Sequence, residues 1–390
     1  MSAPRAYNLE ALRRAYSAFL ASSPGRVLLT GHSHQAWPDA ARDAMGRLFD
    51  DSARFVDDKW SEVIFPKAAS VGRAILARSG FAESDPLSFG RSTHELVFRL
   101  LSCFPRDARV VSTRGEFHSL DRQLRRLEEE GLRVSWVDAY PRATLADRIA
   151  DALEPGVDLL ALSAVFFEDG WVLREIGALA ERARAIGAEV LVDAYHAFHT
   201  VELDWGPARD SLFLTGGGYK YAGFGEGICW LRSPPSCELR PAYTGWFADF
   251  GAIERPRRER IGYGPGGDRF AGATFDAAPL YRAEAALACF EQHGLSVATL
   301  AATYRALGAR IFDRLEAAGL ELISAKDRER RAGFVAVRAS EAQERVRRLR
   351  SRGVWVDARG EALRLGPAPY LSDAELERGL DAVIEELRPR

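Results

Sequence analysis

Only four cysteines occur in the 390 residues, at Cys103, Cys229, Cys237 and Cys289, with no C-x-x-C spacing and no clustered histidines beside them. That scatter argues against a metal centre and suggests a reducing compartment. Net charge is nearly absent too, at −2, so no global field invites nucleic acid or an anionic membrane surface. No apolar run is long enough to suggest a membrane span. The opening MSAPRAYNLEALRRAY lacks the apolar core of a signal peptide. The cytoplasm is the expected location. Internal repeats and low-complexity linkers are also missing.

What is present is ordinary globular material, 47% hydrophobic and 28% charged, in a chain long enough for more than one lobe. Charged stretches such as 125–133 (RRLEEEGLR) and 345–352 (RVRRLRSR) alternate with apolar residues and read as solvated helix faces. The middle of the chain sets short apolar runs between amphipathic stretches. The segments 109–112, 134–137, 159–163 and 189–193 read as buried strands, and 120–130 and 176–186 as helices. This alternation predicts an α/β fold with a largely parallel sheet covered on both faces.

After about residue 280 the pattern changes. Helices are expected over 279–293, 297–318, 340–351 and 372–387, the last opened by a Ser372/Glu375 capping box. Strands are expected at 334–338, 354–356 and 363–365. The reading is a large domain over 51–278 and a small α+β domain over 279–390. Residues 1–50, helical with an extended 27–30, are expected to pack on the small domain. In an open parallel sheet, ligands bind at the carboxyl ends of the strands.

Two segments carry chemistry at such ends. In 191–196 (LVDAYH), Asp193 closes an apolar strand; alone it is equally a helix cap. In 213–221 (FLTGGGYKY), a strand runs into three glycines and then Lys220 between two tyrosines. The glycines permit close backbone approach or unusual φ. Lys220 alone reads as a surface lysine after a turn, but desolvation among aromatics would lower its pKa toward that of an amine nucleophile. Together the pair matches what pyridoxal 5′-phosphate (PLP) requires. A lysine condenses with the cofactor's aldehyde, and a carboxylate keeps the ring nitrogen protonated. The cofactor's phosphate needs hydroxyls at a helix N-terminus, which Ser92 and Thr93 in 89–96 (FGRSTHEL) supply.

With these motifs on the page, the chain resembles the class V aminotransferase superfamily, and within it kynureninase. The resemblance runs from about Gly31 to Pro369 and is most specific at Asp193-x-x-His196, at Tyr219–Tyr221 and at 244–247 (TGWF). It implies the aspartate aminotransferase-like fold, with a mainly parallel seven-stranded sheet. It assigns Lys220 to hold PLP and move the α-proton, and Asp193 to the ring nitrogen, with His196 beside it. Tyr219 is assigned to the phosphate and to proton transfer, Phe117 to stacking on the ring, and Ser92 and Thr93 to the phosphate. Trp246 is expected to reach the cofactor phosphate or substrate of the neighbouring subunit, and Thr274 to bind the phosphate across the interface of a homodimer. Arg364, in 363–369 (LRLGPAP), resembles the arginine that grips the substrate α-carboxylate, for which a planar guanidinium is suited.

The substrate end departs from the family. Kynureninases carry Gly-Asn-Ser-Leu-Gly where this chain has 31–35 (GHSHQ), which puts His32 and Ser33 at the substrate. Phe275 replaces an asparagine that contacts the substrate's aromatic end. Phe167 stands where relatives often have a polar residue, and 57–60 (DDKW) lacks a nearby family histidine. Trp37, Trp60, Phe167, Trp246 and Phe275 are candidates for an aromatic pocket. The resemblance implies a hydrolase that cleaves the Cβ–Cγ bond of kynurenine or a related amino acid. An aminotransferase or Cβ-lyase, or a member that binds without turnover, stays open. Cysteine desulfuration is disfavoured, because no cysteine follows Cys289.

Overall fold

A computed structural model describes residues 5–252 and 260–388. Its centre is a seven-stranded sheet in the order Leu87–Gly90, Cys229–Arg232, Leu212–Gly217, Glu189–Asp193, Leu159–Ser163, Arg109–Thr113, Arg133–Val137. Cys229–Arg232 is antiparallel to both its neighbours, and every other pairing is parallel. Strands Leu159–Ser163 and Leu212–Gly217 are buried at every residue. Their unbroken apolar runs reflect cover on both faces, since a strand with one wet face would alternate.

The two faces sort the residues by parity. Val111, Leu160, Leu162, Val190 and Val192 pack with Leu145, Ile149, Ile176 and Leu179 of the helices Leu145–Ala152 and Ile176–Ala185. Val110, Leu159, Ala161, Leu191 and Phe213 pack with Leu96, Leu100, Leu120 and Leu124 of the helices Thr93–Leu101 and His118–Glu128. This period of two fixes which side chains reach each face. The strand Cys229–Arg232 was not anticipated. It is four residues long and follows a glycine-rich loop, so it carries little periodic signal.

In the C-terminal part, Asp357–Arg359, Ala362–Leu365 and Val335–Arg338 form an antiparallel sheet. The expected strand 354–356 is divided. Val354–Trp355 pairs in parallel with Val27–Leu28, and the chain then crosses into the three-stranded sheet at Asp357. The N-terminal segment is thus tied to this part: Val27 and Leu29 share a core with Leu307, Ile311, Leu380 and Val383. Gly379 makes room for this, since a Cβ there would lie 2.8 Å from Val27 Cγ1. Ser372 and Glu375 form the reciprocal capping box of Asp373–Leu387. Ala278–Gln292 joins a different core, with Phe224, Trp230, Ile64 and Val71. That helix therefore packs on the large sheet's side, while Val297–Ala317 turns to the C-terminal strands.

Candidate active site

The strands Arg109–Thr113, Leu159–Ser163, Glu189–Asp193 and Leu212–Gly217 all run toward one rim, where a cavity of about 240 Å³ opens. Its wall includes Ser92, Thr93, Phe117, Ser163, Phe167, Asp193, Tyr195, His196, Tyr219, Lys220 and Cys229. The structure thereby gathers Ser92, Thr93, Phe117, Asp193, His196, Tyr219 and Lys220, which lie far apart in the chain, around one space.

Lys220 is 5% exposed. Its Nζ lies 4.5 Å from the Tyr195 ring centre, 4.9 Å from that of Phe117 and 5.7 Å from that of Tyr219. Burial lowers its pKa from 10.5 to about 7, against the pull of Asp193, and the nearby Arg364 and Arg359 lower it further. Nζ is 2.8 Å from His196 Nε2. The Nδ1 of His196 is buried without a hydrogen-bond partner, and burial, with Lys220 second, holds this imidazole well below its usual range.

Asp193 closes its strand and accepts the Tyr195 backbone N–H on Oδ1 at 2.8 Å. Burial raises its pKa; that N–H and Lys220 oppose the rise. Ser92 is the N-cap of Thr93–Leu101, its hydroxyl accepting from Glu95 N–H at 3.2 Å. The first-turn N–H groups and the helix dipole therefore face the cavity's polar end. Phe117 leads into His118–Glu128 and meets Phe167 edge-on at 5.4 Å.

The three glycines before Tyr219 act by close approach. None has a positive φ; those lie further on, at Gly223, Gly225 and Gly227. A Cβ on Gly216 would sit 2.7 Å from Trp230, one on Gly217 would lie 2.5 Å from the Tyr195 ring carbons, and one on Gly218 would lie 2.7 Å from the Gly225 carbonyl. Side chains here would push Tyr195 and the Lys220 loop apart.

Other sequence candidates lie elsewhere. Arg364 does not reach the cavity wall. Its Nε and Nη2 form a bidentate pair with Asp357, at 2.9 and 2.5 Å, and Nη1 donates to the Phe167 carbonyl. The carboxylate it holds in this structure is Asp357's. His32 is completely buried and donates Nε2–H to the same Asp357 at 2.8 Å, which makes it part of this clamp. The Ser33 hydroxyl meets the neighbouring His34 at 3.2 Å, and its backbone N–H donates to the Thr30 carbonyl at 2.8 Å. Trp246, 49% exposed, stacks on Phe247 at 4.4 Å. Thr274 and Phe275 line a second, larger cavity of about 840 Å³, with Phe65, Phe247 and Phe250. Phe275 and Trp60 pack edge-on at 5.3 Å in that aromatic group. Trp37 sits under the Arg282 guanidinium, 4.7 Å away. The expected aromatic pocket is therefore divided, and only Phe167 of those five faces Lys220's cavity.

Four site residues escaped the sequence reading. Tyr195 packs on Lys220, Cys229 lines the cavity with its thiol raised to about 12 by burial, Asp357 clamps Arg364, and Glu116 lies buried behind Ser163. Glu116 and Tyr195 each adjoin a chosen residue, which was the one available signal.

Residues 300–383 match the kynureninase C-terminal domain family. No curated protein matches the chain. Among solved structures it is similar to the apo cysteine desulfurase from Thermococcus onnurineus NA1, at 17% identity and a TM-score of 0.80 over 99% of each chain. It is also similar to a lysine-to-alanine mutant of C-DES with glycine covalently linked to the PLP cofactor, at 17% identity and 0.82 over 96% of this chain and 98% of that one. The complex of the cystine C-S lyase C-DES with its product cysteine persulfide gives 18% and 0.81, over 95% and 100%. The chain thus shares the fold of these enzymes along nearly its whole length, and its residues 300–383 are similar to the kynureninase C-terminal domain.

Proposed function

We propose that this protein is a PLP-dependent enzyme acting on an amino acid, and that its reaction is a kynureninase-type hydrolysis of a Cβ–Cγ bond. One observation carries the cofactor reading. A buried lysine with a lowered pKa shares a cavity with a strand-end carboxylate and with hydroxyls at a helix N-terminus. The unpartnered His196 Nδ1 in the same wall is a buried polar atom that a polar ligand would satisfy.

The residues present fit the group. Lys220 would hold it through its amine, Asp193 through the ring nitrogen, Phe117 across the ring face, and Ser92 and Thr93 at the phosphate. When bound, PLP supplies an aldehyde for amines and a ring that withdraws electrons from bonds at Cα. The chain's own residues do the rest. Lys220, neutral for much of its population at neutral pH, is suited to take the α-proton. His196 Nε2, 2.8 Å away, holds its Nζ in place. Phe117, Phe167 and Tyr195 exclude water from that proton transfer.

The kynureninase match over 300–383 supports the finer reading. The cavity favours a second one, a Cβ-lyase on an amino acid without an aryl group. It is only about 240 Å³, and Phe275 and Trp60 lie outside it. Incubation of the PLP-loaded protein with kynurenine, and separately with cystine, decides between them. Anthranilate and alanine from kynurenine support the hydrolase; pyruvate from cystine with no anthranilate replaces it with the lyase. This reading includes a homodimer that covers the exposed Trp246 and Phe250 and brings Thr274 toward the partner's site. A monomer by light scattering would remove that part.

A further inference from the structure

A second acid lies buried behind the cavity wall. Glu116 is 3% exposed, one residue before Phe117. Its Oε1 accepts the Thr113 hydroxyl at 2.6 Å, and its Oε2 accepts the Ser163 hydroxyl at 2.6 Å. Ser163 lines the cavity and stands in register opposite Asp193 on the neighbouring parallel strand. Glu116 thus reaches the site through Ser163, whose hydroxyl and backbone both act on its carboxylate.

We propose that Glu116 and Ser163 form a proton-coupled switch, in which the charge on Glu116 decides whether the Ser163 hydroxyl hydrogen points at Glu116 or into the cavity beside Asp193. A hydroxyl has one hydrogen to give. With Glu116 ionised, Thr113 and Ser163 both spend theirs on the carboxylate. When Glu116 takes up a proton, one carboxyl oxygen becomes a donor, and the hydroxyl facing it must accept. Thr113 Oγ1 already accepts the Gly115 N–H at 3.2 Å. Ser163 is the freer acceptor, so the proton goes to Oε2. The Ser163 hydrogen then turns away from Glu116.

The environment places this equilibrium in the neutral range. Burial raises the Glu116 pKa to about 7, against the hydroxyls of Ser163 and Thr113, and the Asp193 charge adds to the rise. Asp193 is the charged group acting from the neighbouring strand. On Glu116's own loop, Arg114 is exposed and pairs with Asp138 at 3.2 Å, and His118 is exposed against the Phe167 ring at 5.1 Å. Raising the pH ionises Glu116 and withdraws a donor from the wall next to Asp193. Only the consequence for a bound cofactor rests on the PLP reading.

The test has two arms. In the apoprotein, difference infrared spectroscopy is expected to show a protonated-carboxyl C=O band that disappears as the pH rises through about 7. Glu116→Gln is expected to remove it. Ser163→Ala, which takes away a donor that favours the ionised form, is expected to move its midpoint upward. No such band, or a midpoint unmoved by Ser163→Ala, would overturn the switch even if Glu116→Gln fails to fold. In the PLP-loaded protein, the cofactor's absorbance is expected to show a step in the same range that is lost in Glu116→Gln and also in Ser163→Ala, which lacks the hydroxyl that carries the change to the cavity. A step unchanged in both variants also overturns it. If PLP gives no lysine-linked band at all, the cofactor reading falls while the infrared arm still decides Glu116.

Discussion

Lys220 Nζ lies 2.8 Å from His196 Nε2, and among the described residues the lysine makes no ion pair with any carboxylate. A buried ammonium in that position has one imidazole lone pair and three aromatic faces for company. The neutral amine is therefore favoured, and a neutral amine is what condenses with an aldehyde.

The first prediction concerns that amine. Lys220→Ala is expected to abolish the absorbance of lysine-linked PLP and to lower turnover by roughly 10² to 10⁴-fold, the usual contribution of a positioned general base. Retention of the band in the variant would show that another amine carries the cofactor.

Uptake of PLP by the apoprotein should follow the neutral fraction of Lys220. The pKa is lowered from 10.5 to about 7, so the rate is expected to rise with pH up to about 7 and then level off. An exposed lysine would give a rate still climbing toward 10.5. Stopped-flow absorbance against pH separates the two profiles.

The clamp around Arg364 bears on stability. Asp357 pairs with Arg364 and His32, and Arg364 is 3% exposed. Asp357→Ala leaves that guanidinium buried and unpaired, which is expected to cost about 3–5 kcal/mol in urea unfolding. If stability is unchanged, the pair contributes nothing and Arg364 is free to move.

Acid sensitivity follows from His32 with a definite sign. Burial lowers its folded pKa from 6.5 to about 4, so the unfolded chain binds more protons between these values. Stability is expected to fall as the pH drops through that window. His196 and His199 are lowered from the same starting value and act in the same direction. Asp357 is depressed below 3.8 in the fold, so its contribution is lost at still lower pH. His32→Gln should flatten the slope between pH 6.5 and 4 without abolishing it, as read from unfolding midpoints.

Gly217 tests the packing of the lysine loop. A Cβ there meets the Tyr195 ring, so Gly217→Ala is expected to cost about 1–3 kcal/mol by overpacking and to weaken PLP binding. Calorimetry and a PLP titration of the variant measure both.

The sequence by itself determined most strands of the large sheet and marked residues that the fold gathers around Lys220. Strands such as Leu159–Ser163 and Glu189–Asp193 stand where their apolar runs end, because a strand covered on both faces leaves an unbroken mark. Asp193, Lys220, Ser92 and Thr93 were legible because each ends or caps an element, and the ends of parallel strands share one rim. Only the tertiary structure decided what each polar group meets. His32 closes on Asp357, the partner of Arg364, across 325 residues of chain. Glu116 finds Ser163 across 47. Partners so separated leave no periodic trace, because they are brought together by strand order and not by local conformation. The same holds for the aromatic residues, of which the fold sends Phe167 to one cavity and Phe275 to another.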